Sequence, residues 1–313
     1  MLALFGRDER VIVGAGAGDD AGVFLDEDRL LVATVDFITP VCDEPARFGR
    51  IAAANSLSDI YAMGGVPLFA LNVCCFPSQA PKQVLAEILE GAGRALVEVG
   101  AALIGGHTVQ DDELKYGLVV VGRVGRESLW THGGAREGDR LVLTKPLGTG
   151  VMINAYKQDR LDAAGLEPAL CEMERLNGVA ARLGAEYGAR AATDVSGFGL
   201  ARHASGLARA SGHGLVLDLA RIPVHEAFQA LAAKGVTTGS TGPNRDSVAG
   251  LLDIPGRRAE ECEILFDPQT SGGLLLAVAP DRSGPLVEAL RRTGHRAAEI
   301  GEVVAGPARL IVR

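Results

Sequence analysis

Thr193-Asp194-Val195-Ser196-Gly197-Phe198-Gly199 is the stretch around which the chain is organised. Its aspartate closes a short apolar run and leads through a glycine-spaced turn into a helical segment. Three earlier aspartates have a similar setting. Asp20 follows Gly18-Asp19, Asp36 ends the apolar run Leu30–Val35, and Asp59 sits inside an alanine-rich helical segment. Short carboxylates on elements that otherwise read as buried repel one another if the fold gathers them. Two unit charges about 4 Å apart cost roughly 4 kcal/mol at an effective dielectric near 20. A divalent cation is the natural compensation, and hard oxygen donors with room for water and phosphate oxygens suit Mg²⁺. The pattern points to a metal–nucleotide site, provided the aspartates converge.

The 313 residues suffice for two domains, each with its own core. Hydrophobic residues make up 47%, which excludes a disordered chain. The 31 basic and 39 acidic residues give a net charge of −8, without any Lys/Arg block. With aromatics at only 4%, stacking platforms are also scarce, so nucleic acid is not an expected partner. Cys42, Cys74, Cys75, Cys171 and Cys262 are odd in number and lack a C-x-x-C spacing. That argues against a disulfide framework or a zinc site and for a reducing cytoplasm. Met1–Phe5 is too short an apolar run for a signal peptide, and no run of 18 apolar residues predicts a membrane span.

Residues 1–125 read as an α+β domain of order β-β-α-β-α-β-β. Ala21–Leu25 and Leu30–Val35 are predicted strands joined by Asp26-Glu27-Asp28. Pro45 opens a helix that Gly64-Gly65 closes near Met63. On it Ile51, Asn55 and Asp59 recur at i, i+4, i+8, so Asn55 and Asp59 share one side. A solvated polar face is the alternative for that pair. Pro67–Phe76 reads as an apolar strand and Pro81–Gly100 as an amphipathic helix. Ala102–Gly105 and Gly117–Val124 read as strands separated by a loop that carries Gly106-His107-Thr108. Gly125–Gly138, with Trp130, is the boundary region, and 126–138 the linker within it.

The second domain, 139–313, reads as α/β. It opens with strand Arg140–Thr144 and the run Lys145–Gly150. A long helix is predicted over Pro168–Tyr187, then helices at Phe198–Ala210 and His225–Lys234, with strand Gly214–Leu219 between them. Gly235–Ser247 reads as a mobile loop, and Glu263–Phe266 and Gly273–Ala279 as strands. Gly105-Gly106-His107, Gly148-Thr149-Gly150, Ser196–Gly199 and Ser271-Gly272-Gly273 read as glycine loops at strand–helix junctions, whose N–H groups suit phosphate. His107 is a candidate acid or base or a structural residue. His203 reads as surface or core, Lys145 as phosphate-reaching or solvated, and the pair Cys74-Cys75 as packing.

Together these motifs carry a resemblance. Gly18-Asp19-Asp20-Ala21, Thr34-Val35-Asp36-Phe37, the run Phe48–Gly65, Gly105-Gly106-His107-Thr108, Leu143–Gly148, Thr193–Gly199 and Asp267–Gly273 resemble selenophosphate synthetase (selenide, water dikinase) from about residue 12 to 313. The aspartate motifs alone fit the wider superfamily of aminoimidazole ribonucleotide synthetase-like ATP-binding proteins. The resemblance implies that fold, with an N-terminal sheet that dimerises into a β-barrel across a two-fold axis and a C-terminal α/β domain. It implies ATP, selenide and water as substrates, selenophosphate, AMP and phosphate as products, Mg²⁺ as cofactor, and K⁺ as a further ion. By motif, Asp20, Asp59 and Asp194 match metal ligands. Asp36 and Asp59 match nucleotide or metal contacts, with Asn55 beside them, and Gly105, Gly106 and His107 a nucleotide-binding strip supplied by a partner subunit. The alternatives are another phosphoryl-transfer enzyme of the superfamily or a nucleotide-binding homologue without catalysis.

The family pattern also has a glycine-rich segment with a reactive Cys or selenocysteine and a nearby Lys before Gly18. Met1–Ala17 contains neither Cys nor Lys, so no catalytic nucleophile is assigned. The expectation is that an upstream UGA codon, read as a stop, separates that segment from this chain. A trimmed chain and a degenerate paralogue are the alternatives.

Overall fold

The computed structural model describes residues 8–256 and 259–313. The chain forms two compact units, Met1–Leu129 with Met173–Gly178, and Trp130–Glu172 with Val179–Arg313. The first unit therefore reclaims a six-residue segment from the second half of the sequence. Asn177 in that segment donates its amide to Ser58 Oγ at 2.8 Å, and Glu174 pairs with Arg47 at 3.0 Å.

In the first unit β1 (Val11–Val13), β2 (Gly22–Asp26), β3 (Arg29–Ile38), β4 (Val66–Phe76), β5 (Ala102–Gln110) and β6 (Lys115–Val124) make one sheet, ordered β1-β2-β3-β6-β4-β5. Every pairing is antiparallel except β4–β5, which needs a crossover and receives one in α2 (Lys82–Glu98). Helix α1 (Pro45–Ala62) starts on Pro45, whose missing N–H costs nothing in a first turn, and stops before Gly64, at φ 71°. Helices α1 and α2 pack together through glycine: a Cβ on Gly49 would sit 2.0 Å from Ile88 O, and one on Gly91 1.7 Å from Ala46 O.

Strand β3 alternates. Leu30 and Val32 are buried and Thr34 and Asp36 half-buried, whereas Val35 and Phe37 are 58% and 48% exposed. The outward positions are thus as apolar as the inward ones, where a solvated sheet face would be polar. The apolar strands β4 and β6 are interior, and the edge strand β5 is exposed at every residue. Contrary to expectation, Gly105-Gly106-His107 is not a junction loop. Strand β5 runs unbroken through it, with Gly106 beside Asn72 and His107 beside Val73. Gly106 has φ +151°, and a Cβ there would meet the Asn72 backbone at 2.5 Å, so Gly106 serves close strand pairing, whereas Gly105, at φ +154°, has nothing within 4 Å of such a Cβ.

The second unit is built on a seven-stranded mixed sheet. Its strands are β7 (Arg140–Leu143), β8 (Ala191–Asp194), β9 (Gly214–Leu217), β10 (Leu252–Asp253), β11 (Leu274–Val278), β12 (Ala298–Val304) and β13 (Leu310–Val312), ordered β10-β13-β9-β12-β7-β11-β8. Strands β8 and β11 are buried at both parities, which matches their unbroken apolar runs and requires both faces to be covered.

Three expectations fail here. The stretch Pro168–Tyr187 is two helices, α4 (Ala163–Glu174) and α5 (Gly178–Glu186), because Asn177-Gly178 is poor helix sequence and the Asn177 amide is engaged elsewhere. Glu263–Phe266 is no strand; a 3₁₀ segment, Ala259–Leu265, occupies it. Gly235–Ser247 contains α8 (Thr241–Val248), anchored where the Asn244 amide donates to Gly197 O at 3.0 Å and Phe266 O at 2.9 Å. No helix among the described residues is long and apolar enough to cross a membrane, and the five cysteines are free thiols.

Candidate metal and nucleotide site

Two periodicities meet between β3 and α1. Residues two apart on a strand and four apart on a helix both recur about every 6–7 Å. Thr34 and Asp36 on the inner side of β3 therefore match Asp59 and Asn55 on α1, rung for rung. Thr34 Oγ1 donates to Asp59 Oδ2 at 2.5 Å, and Asn55 Nδ2 donates to Asp36 Oδ2 at 2.5 Å. Below them Ser56 Oγ donates to Asp36 O at 2.9 Å and accepts the N–H of Leu118 at 3.1 Å, fixing the helix to β3 and β6 together. Burial raises the Asp36 carboxyl above its ordinary range, against the lowering effect of the Asn55 hydrogen bond. Asn55 is 5% exposed, so the solvated-face alternative for it is excluded.

Asp20 stands half-buried just before β2. It lines a cleft of about 510 Å³ with Asp19, Ala33 and Thr34, so the residue that holds Asp59 also borders the space beside Asp20. Asp20, Asp36, Asn55 and Asp59 thus all belong to one end of the first unit's sheet and its covering helix. Gly105, Gly106 and His107 lie on the exposed edge strand β5, three strands from β3.

Asp194 ends β8 in the second unit, 3% exposed. The next turn enters α6 (Gly199–Ser211) through Gly199 at φ +75°, where a side chain would be strained. His203, one turn into α6, braces that turn. Its Nε2 accepts the Ser196 N–H at 3.2 Å, which leaves Nδ1 as the protonated nitrogen facing Thr193 Oγ1 at 3.2 Å. An Asp194 carboxylate oxygen lies within 4.8 Å of a His203 ring nitrogen. The sequence reading missed this role, although the spacing of His203 four residues after Gly199 was a usable signal.

The glycine run Gly148-Thr149-Gly150 opens onto α3 (Thr149–Lys157) as expected, but its donors already have an anion. Asp267 accepts the N–H of Gly150 at 3.1 Å and of Val151 at 2.9 Å. Gln269 Oε1 accepts from Gly148 N at 3.0 Å, Thr149 N at 3.2 Å and Thr149 Oγ1 at 3.1 Å. The Asp267–Gly273 motif thus caps a helix, taking the place expected for phosphate. Burial pushes the fully buried Asp267 carboxyl up to about 7, against the lowering effect of the Gln269 hydrogen bond. Lys145 is not solvated: it is 1% exposed and its Nζ donates to Ser271 O at 2.8 Å. Gly272 and Gly273 are close-packing points, since Cβ atoms there would lie 1.9 Å from Val195 O and 2.4 Å from Lys145 N.

Asp20 and Asp59 in the first unit, with Asp59 fixed by a threonine hydroxyl, and separately the nearly buried Asp194 in the second, each offer hard carboxylate oxygens of the kind Mg²⁺ takes.

The comparisons with known proteins follow the same division of the chain. Residues 18–124 match the family described as AIR synthase related protein, N-terminal domain, and residues 136–313 match the C-terminal domain of that family. A selenide, water dikinase of Desulfitobacterium hafniense is 43% identical over 299 residues, covering 95% of this chain and 88% of the relative. Another from Porphyromonas gingivalis is 47% identical over 291 residues, covering 92% and 83%. Among solved structures, thiamine-monophosphate kinase from Stenotrophomonas maltophilia superposes with a TM-score of 0.72 at 22% identity, covering 98% of this chain and 92% of that one. At that identity the likeness speaks to the fold, which is the two-domain aminoimidazole ribonucleotide synthetase-like fold. Two matched domains and relatives this similar along nearly the whole sequence place the chain in the selenide, water dikinase family of AIR synthase related proteins.

Proposed function

We propose that this chain catalyses ATP-dependent synthesis of selenophosphate from selenide and water, releasing AMP and orthophosphate. Of the three phosphoryl groups of ATP one stays in AMP, one goes to selenium and one to water. The observation that carries the reading is identity of 43% and 47% with selenide, water dikinases over more than nine-tenths of the chain.

In this reading Asp20, Asp59 and Asp194 hold Mg²⁺, with K⁺ as a further ion. The metal would neutralise triphosphate charge and stabilise charge moving onto the transferring oxygens. The residues of the chain supply position. Thr34 holds the Asp59 carboxylate in one rotamer, and Asn55 does the same for Asp36, which contacts the nucleotide. His203 keeps the turn after Asp194 in place. Gly105, Gly106 and His107 serve the nucleotide of the partner subunit in a homodimer formed through the first unit's sheet. Two features support the dimer: the apolar outward positions Val35 and Phe37, and the uncovered strand β5 with Ile104 59% exposed. A cytoplasmic location agrees with the free cysteines.

The test is product analysis by phosphorus NMR with ATP, Mg²⁺ and selenide. The expected result is AMP, orthophosphate and a selenium-bonded phosphate, all dependent on selenide. ADP as the nucleotide product, or AMP formed equally without selenide, would overturn the assignment.

A further inference from the structure

The cavity in the second unit beside α7 (Glu226–Ala233) has charges that are answered within the chain. Arg245 pairs there with Glu263 at 3.1 Å, and Asp267 accepts the N–H groups of Gly150 and Val151. A cavity of about 590 Å³ in the first unit differs. Arg29, Arg123 and Arg126 border it, against a single carboxylate, Asp28. Arg29 approaches Asp28 only to 3.9 Å, with side chains 83% and 90% exposed, and an ion pair of that kind contributes little. Among the described residues the side chains of Arg123 and Arg126 have no hydrogen-bond or ion-pair partner.

Strand register gathers these groups. Arg123 on β6 stands opposite Leu31 on β3 and Val66 on β4, and residues paired in this way share a face of the sheet. Arg29 opens β3, and Arg126 lies in the turn that Ser128 N–H closes on Gly125 O at 3.1 Å. The backbone positions of all three arginines are therefore fixed before any ligand arrives. Leu31, Val66 and Leu68 add an apolar wall to the same cavity. Three guanidinium groups around one carboxylate make a local positive field on a chain whose net charge is −8. Guanidinium forks match phosphate oxygens two at a time, and the apolar wall suits a hydrocarbon or aromatic body behind the phosphate. We infer that this cavity binds a small phosphate monoester carried on an apolar or aromatic body, apart from the residues assigned to metal and nucleotide. Leu31 has the opposite parity on β3 to Thr34 and Asp36, and it precedes Asp36 by about 17 Å of strand. A concave space of this volume suits a small molecule better than the flat meeting of two subunits.

Phenyl phosphate as dianion, benzyl alcohol as its neutral counterpart, benzylamine as cation and inorganic phosphate are the probes. Each is titrated into the full chain by calorimetry at mildly alkaline pH and low salt, with EDTA present so that no Mg²⁺ carries phosphate to the aspartates. Phenyl phosphate is expected to saturate and to bind at least about tenfold more tightly than benzyl alcohol, with inorganic phosphate several-fold weaker and benzylamine not saturating. Arg123→Gln combined with Arg126→Gln, both at exposed positions, is expected to lower phenyl phosphate affinity at least about tenfold, whereas Asp59→Asn leaves it unchanged. Sedimentation of the double variant is expected to match wild type. The inference is overturned by no saturable binding of phenyl phosphate, by benzyl alcohol, benzylamine or inorganic phosphate binding as tightly, or by an affinity that the double substitution does not lower. A wild-type dimer that the double substitution dissociates would assign the arginines to a subunit contact and overturn it as well.

Discussion

Gly91→Ala and Gly93→Ala sit two residues apart in α2 and should act with opposite sign. Alanine improves an exposed helix interior by up to about 1 kcal/mol relative to glycine, so helix propensity alone stabilises both. At Gly93 nothing lies within 4 Å of the added methyl, and that gain should survive. At Gly91 the methyl would be 1.7 Å from Ala46 O and 2.6 Å from its carbonyl carbon, where ordinary contact starts at 3.4 Å. These are backbone atoms of α1 and cannot swing aside, so the helices must part by more than an ångström. Ile88, Ala92, Ala95 and Leu96, which α2 buries, then lose their close contacts. Overpacking of this kind costs about 1–3 kcal/mol and more where backbone obstructs, which outweighs the propensity gain. The net expectation is about 2 kcal/mol of destabilisation for Gly91→Ala and up to about 1 kcal/mol of stabilisation for Gly93→Ala. At about 3 °C per kcal/mol the two variants should melt roughly 10 °C apart. Circular dichroism melting, with hydrogen exchange of peptides from α1 and α2 to localise the change, measures this. A Gly91→Ala protein as stable as wild type would refute the claim that these helices touch through glycine.

Three further outcomes follow from the structure. Asp59→Asn should weaken Mg–ATP binding by at least about tenfold in calorimetry while the melting temperature holds or rises, since one carboxylate leaves an acidic cluster; unchanged affinity contradicts the metal assignment. The Asp267 carboxyl has its folded pKa raised to about 7 from 3.8, so its contribution to stability is full below about pH 4 and is lost as pH rises towards 7. About 4 kcal/mol of that loss should be missing from Asp267→Asn, read as the difference between the two urea-unfolding profiles across that window; parallel profiles would contradict it. Sedimentation should find a dimer at micromolar concentration that Val35→Asp combined with Ile104→Asp converts to a monomer, and a monomeric wild type removes the basis for the dimer.

The parts legible in the sequence were those set by neighbours a few residues apart. Pro45 and Gly64 bound α1 because capping is local, and the i, i+4 spacing of Asn55 and Asp59 put both on one side of it. The matching i, i+2 pair Thr34 and Asp36 was visible too, although nothing local says which strand lies under which helix. Capping of α3 by Asp267 and Gln269 was not legible, because the partners lie more than a hundred residues apart and the glycine run in front of a helix reads the same with or without an internal anion. Gly106 was misread for the opposite reason: glycine marks both loops and close strand pairing, and only the Asn72 backbone alongside it decides. Helix α8 carries too few apolar residues to show a period, and it is anchored by the side chains of Asn244 and Arg245, whose partners are distant in sequence.

The reclaimed segment Met173–Gly178 imposes an order on synthesis. A ribosome that has released everything up to Leu129 has delivered every strand of the first sheet, yet not the amide of Asn177 that satisfies Ser58, nor the carboxylate of Glu174 that faces Arg47. Ser58 is fully buried in the finished unit, whereas Arg47 is partly exposed and also pairs with Glu44 at 3.9 Å. Until some fifty further residues are made, the buried Ser58 hydroxyl lacks the Asn177 amide, a shortfall of about 1–3 kcal/mol. Completing the first unit's core thus depends on residues that the chain makes only after the linker.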